Sequence, residues 1–75
     1  MILPTKHIPI RHSLLGQAGA IWRRHQRPIT VSRLWDQFED SEEFRSFDRF
    51  VLALDLLFLL GLFEIERGLI RKAGR

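Results

Sequence analysis

FEIERGLIRK, Phe63 to Lys72, is the stretch that decides the fold. Apolar and charged residues alternate before Arg67-Gly68, and Leu69-Ile70-Arg71-Lys72 follows it. This pattern predicts two strands joined by a two-residue turn, because glycine tolerates the positive φ such turns require. In that register Ile65 faces Ile70 and Glu64 faces Arg71. Phe63, Ile65 and Ile70 then share one face of the hairpin, with a cross-strand ion pair on the other.

Directly upstream lies the strongest helix in the chain. Ser46 is its expected N-cap, Phe47 to Leu60 its body, Asp48 a favourable charge in its first turn, and Gly61 its C′ residue. Phe47, Phe50, Val51, Leu54, Leu57 and Phe58 follow the spacing of a core stripe. Leu52, Leu56 and Leu59 form a second apolar row, roughly on the opposite side, and the helix's remaining polar positions are Asp48, Arg49 and Asp55. A helix apolar nearly all round must be covered nearly all round. Two covers are open: the N-terminal segment folding back, or another polypeptide. The second is preferred, with Leu3, Ile8, Leu52, Leu56 and Leu59 as its expected contacts.

Moving toward the N-terminus, the polar run Glu39-Asp40-Ser41-Glu42-Glu43 ends or interrupts a shorter helix that carries Leu34, Trp35 and Phe38 and is capped by Thr30 or Ser32. Pro28 breaks the chain before it, and Ile29 can form a short strand. The first helix is expected from Ser13, its cap, to about Gln26. Leu14, Ala18, Ile21 and Trp22 form its stripe, with basic residues in the last turn. Pro4 and Pro9 make the opening segment extended, with Ile2, Leu3, Ile8 and Ile10 for apolar grip. The order helix, short strand, helix, helix, hairpin predicts a mostly helical α+β fold. Specifically, residues 13–75 form a winged helix with the hairpin as wing, and residues 1–12 an extended N-terminal arm. A three-helix bundle with a frayed tail is the second choice.

Seventy-five residues, 45% of them apolar, make one small domain. Such a chain buries only about 60% of its unfolded surface, so its margin of stability is thin. It has no cysteine to staple it. The thirteen-residue apolar run Val51 to Phe63 contains Asp55 and falls short of the roughly 20 residues a membrane span needs. With no export signal in MILPTKHIPI, the expectation is a soluble cytoplasmic protein. Residues 1–34 hold six Lys/Arg and no acid, residues 35–66 nine acids and two arginines, and residues 67–75 four basic residues. Arg23, Arg24, Arg27, Arg71 and Lys72 are therefore candidates for an acidic surface or for a DNA backbone without sequence preference.

Catalysis is not expected. His7, His12 and His25 match no metal-ligand spacing, and Gly16 and Gly19 lie inside a helix rather than in a phosphate loop. No metal, cofactor or small-molecule substrate is implied, and the chain is read as a non-enzyme. A groove-reading third helix should present Arg, Lys, Asn, Gln or Ser, whereas this one presents leucines and acids. The alternatives to a protein-binding module are a small winged-helix transcriptional regulator and an antitoxin-like inhibitor.

Three stretches, LPTKHIPIRHSLLGQ (Leu3 to Gln17), RPITVSRLWDQF (Arg27 to Phe38) and FDRFVLALDLLFLLGLFEIERGLIRK (Phe47 to Lys72), resemble the small middle components of bacterial ABC-three-component systems, in the subgroup numbered six. The resemblance implies a non-catalytic adaptor, docking by hydrophobic contacts between an SMC-like ABC ATPase and an effector, often a nuclease. The setting it implies is Lamassu-like anti-phage defence. It carries over no catalytic residue.

Overall fold

The computed structural model describes residues 13–41, 44 and 46–74. The expected arm, with Leu3 and Ile8, lies outside them. The elements run α1 (Leu14–Arg24), α2 (Val31–Asp36), α3 (Phe47–Leu59), β1 (Phe63–Glu66) and β2 (Leu69–Lys72). The chain is α+β and mostly helical, with a C-terminal antiparallel hairpin.

Each helix begins with a side chain satisfying a backbone N–H that has no partner within the helix. Ser13 Oγ accepts from Gly16 N–H at 3.0 Å, Thr30 Oγ1 from Arg33 N–H at 3.2 Å, and Ser46 Oγ from Arg49 N–H at 3.2 Å. Thr30 rather than Ser32 is thus the second cap. α1 stops at Arg24 with His25 as its C-cap, slightly before the expected Gln26. At the end of α3, Gly61 takes a φ of 77°. Gly61 N–H donates to the Phe58 carbonyl at 3.0 Å and Leu62 N–H to the Leu57 carbonyl at 2.9 Å. This pair of bonds is the Schellman motif, which turns the chain out of the helix and into β1.

The hairpin has the expected register: Phe63 opposite Lys72, Glu64 opposite Arg71, Ile65 opposite Ile70, Glu66 opposite Leu69. Arg67 (φ 58°) and Gly68 (φ 79°) both sit at positive φ, as a type I′ turn demands. Of the three apolar residues expected on one face, Phe63 and Ile70 are buried, whereas Ile65 is exposed beside the turn. Ile29, expected as a short strand, forms a single bridge to the hairpin. Its N–H donates to the Ile70 carbonyl at 3.1 Å and its carbonyl accepts from Ile70 N–H at 2.7 Å. The Ile70 carbonyl also accepts from His25 Nε2 at 2.7 Å. Because a carbonyl can only accept, that ring nitrogen carries the proton.

The core lies between α1, α2, α3 and the inner face of the hairpin. Ile21, Leu34, Phe38, Phe50, Ala53 and Ile70 are fully buried. Around Phe50 the aromatic rings of Trp35, Phe38, Phe44 and Phe47 approach at centroid separations of 5.1 to 6.1 Å. Phe38 and Phe44 meet edge to face at 5.2 Å. Arg49 Nε donates to Gln17 Oε1 at 2.6 Å, pinning the first turn of α3 to the first turn of α1.

Several expectations need correction. On α1 the buried stripe is Gln17, Ala18, Ala20 and Ile21. Trp22 is partly exposed, its ring covered by the Lys72 ammonium at 3.7 Å from the centroid. On α3 the buried stripe is Phe50, Ala53, Leu54 and Leu57. Phe47 is nearly half exposed, while Val51 and Phe58 pack at the margin of the core.

Candidate protein-docking surface

α3 places its residues by simple rotation, about 100° per residue. With Phe50, Ala53, Leu54 and Leu57 turned inward, Asp48, Leu52, Asp55 and Leu59 fall on the far side. Leu59 is 84% exposed and Leu52 49%, and both aspartates are exposed. Leu56, one step round the helix, is only partly exposed and packs against the core. The outward stripe is therefore narrower than the expected row. It consists of two leucines bracketed by two carboxylates, with Leu56 at its inner edge.

A second apolar region adjoins the C-terminal end of α3. Leu15, Ala18, Gly19 and Trp22 of α1 face Leu57, Leu60 and Leu62 across a shallow groove of about 440 Å³. Leu15 (69% exposed) and Leu60 (55% exposed) are its most open members. Gly19 has no side chain to fill this groove, and Arg23 also lines it. Leu59, Leu60 and Leu62 make the two regions neighbours along the chain. Leu15, Leu60 and Leu62 did not emerge from the spacing analysis. The signal was present as Leu15, Gly19 and Trp22 at i, i+4 and i+7, a flank stripe that Leu14 and Ala18 mask.

The five basic candidates are not equivalent. Arg71 is spent on the hairpin, pairing through Nε with Glu64 at 2.9 Å and through a terminal nitrogen with Glu66. Lys72 lies over Trp22, and the Arg24 guanidinium lies 5.2 Å from the centroid of Phe38. Arg23 and Arg27 are exposed and pair with no carboxylate among the described residues. Arg33, not among the candidates, has the same freedom. Also among the described residues, no three His, Cys, Asp or Glu side chains gather as a metal site, and no helix is long and apolar enough to cross a membrane.

A family model described as ABC-three component (ABC-3C) system Middle Component 6 matches residues 3–72. The chain belongs to that family. This middle component carries the match through all three helices and the hairpin, and no match is found among curated proteins or solved structures. Family membership makes the chain one part of a multi-protein system. An exposed, acid-bracketed leucine stripe is a surface such a part can use.

Proposed function

We propose that this middle component is a non-catalytic winged-helix adaptor that couples an SMC-like ABC ATPase to an effector, often a nuclease, in Lamassu-like anti-phage defence in the bacterial cytoplasm. The winged-helix reading is supported by the order of elements and by Ile29, which adds a third, one-residue extended segment to the hairpin beside Ile70. In that architecture α3 occupies the position of a recognition helix. The observation that carries the functional reading is what α3 displays there: Leu52 and Leu59, with Asp48 and Asp55 between and beside them. Carboxylates repel phosphate, and leucines offer bases no hydrogen bond, so this face suits protein rather than DNA.

Covering these leucines is worthwhile but modest. Full burial of a leucine is worth about 1.5–3 kcal/mol, so Leu59 could contribute about 2 and half-exposed Leu52 about 1, before the costs of association. The groove at Leu15, Trp22 and Leu60 extends the same contact. A partner matching this surface has an apolar seat with basic residues at its rim.

Capture of the tagged chain from its native host, followed by mass spectrometry, tests the proposal. The ABC ATPase and effector should co-purify with the wild-type chain, and a Leu52→Asp/Leu59→Asp variant should lose at least the ATPase while keeping its circular dichroism. Retention of every partner by that variant would refute the assigned face. Capture of neither protein by the wild-type chain would refute the adaptor role.

A further inference from the structure

A second concave surface lies away from the outward stripe of α3. Where α1 ends, the segment through Pro28 and Ile29 crosses to α2, leaving a cleft of about 640 Å³ between them and the start of β2. This volume is in the range of sites that enclose a few side chains. Arg24, Arg27 and Arg33 line it, and among the described residues its lining contains no acid. Gln26, Thr30 and Gln37 add neutral hydrogen-bonding groups, while Pro28, Ile29 and Leu69 supply apolar surface over the buried Leu34.

The arginines here differ from the one on the hairpin. Arg71 already has two carboxylates, whereas Arg27 and Arg33 pair with none among the described residues. A guanidinium presents its donors in a planar fork that matches a carboxylate with two parallel hydrogen bonds. The backbone that carries these side chains is held in place. Ile29 is fixed by two bonds to Ile70, His25 by its bond to the Ile70 carbonyl, and Thr30 caps α2. Such preorganisation lowers the ordering cost of binding.

We propose that this cleft receives a short acidic peptide segment of another protein, with carboxylates on Arg27 and Arg33 and an apolar side chain against Pro28, Ile29 and Leu69. The mixed lining favours peptide over nucleic acid. A phosphodiester backbone would satisfy the arginines but has no aliphatic group for the floor. Among the described residues the one aromatic ring in the lining is that of His25. It is buried and held by its bond to the Ile70 carbonyl, so it leaves no open face for an unpaired base, the usual platform for single strands. The surface is distinct from the leucine stripe, so the proposal stands whether or not the adaptor reading does.

Fluorescence anisotropy with the intact chain and a labelled peptide alternating Asp, Glu and Leu is the test. Saturable binding is expected, weakened at least about tenfold by either Arg27→Glu or Arg33→Glu and little changed by Arg67→Glu on the hairpin turn. Raising salt should weaken it as well. Arg27→Gln and Arg33→Gln provide the same test if a charge reversal disturbs folding. In parallel, amide shifts on titration should move at Ile29 and Leu69. Absence of saturable binding would overturn the proposal, as would equal weakening by Arg67→Glu, which would indicate a general charge effect. Displacement of the peptide by labelled oligothymidylate with the same dependence on Arg27 and Arg33 would assign the cleft to nucleic acid and overturn it too.

Discussion

At Arg67 the chain accepts a conformation that L-residues avoid. Its φ of 58° places Cβ near the following carbonyl, at a cost of about 1 kcal/mol relative to a residue that tolerates the left-handed region. The turn also gains nothing from this side chain in the core. Arg67→Asn should therefore raise stability by about 0.5–1 kcal/mol, read as a higher urea midpoint at unchanged slope. Gly61, at φ 77° with open space around a would-be Cβ, predicts the reverse. Gly61→Ala should lower stability by about 1 kcal/mol through backbone strain alone. These residues were legible beforehand because glycine's conformational freedom is a property of the residue itself. Trp22 was not. Its fit to the stripe of α1 is almost as good as that of Ile21, and only the position of Lys72, fifty residues on, decides that the ring lies at the surface.

Among the elements, α3 shows what periodicity can and cannot resolve. Its two-sided apolar character was legible, and so was the side bearing Leu52 and Leu59. The core side was blurred, because ten apolar residues among the thirteen of the helix leave the stripe's centre undetermined to within one residue. Ala53 is the residue that settles it: fully buried, small enough to admit close packing, and easy to overlook beside larger neighbours. Leu56 and Leu59 test the resulting assignment. Leu56→Asp should cost about 2 kcal/mol, because it removes packing at the core's edge and brings a carboxylate there. Leu59→Asp should change stability by less than about 0.5 kcal/mol, since its side chain is almost wholly in water. Equal losses in chemical denaturation would mean that the two leucines share one environment. At the junction of α1 with the hairpin, His25→Ala should cost about 2 kcal/mol. It deletes the bond to the Ile70 carbonyl and the ring packed 4.9 Å from Phe63. That role was invisible in the sequence, where His25 read only as part of a basic last turn.

The whole molecule is small enough that these increments matter. A domain of this size holds on the order of 5 kcal/mol of net stability, so a 2 kcal/mol loss is a large fraction of it. What the fold leaves uncovered is organised rather than scattered. Leucines and aspartates occupy the outward side of α3, an apolar groove lies between α1 and the end of α3, and arginines line the cleft by α2. The opposed charges of the first and middle segments, plain in the sequence, gave no hint of the cleft itself. Arg33 and Arg27 are brought together only by the turn at Pro28 and the bond between Ile29 and Ile70. A chain with two distinct surfaces can hold two proteins at once, which is the minimum a coupling subunit requires.

The most direct test of the claim that another polypeptide covers α3 uses the absence of native cysteine. A single Leu59→Cys substitution places a unique thiol at the most exposed point of the stripe, where its rate of alkylation reports access. The account predicts fast alkylation of the isolated chain and at least about tenfold slower alkylation in the complex purified with the ABC ATPase, with Leu56→Cys slow in both. A Leu59→Cys thiol that reacts equally fast alone and in that complex would contradict it.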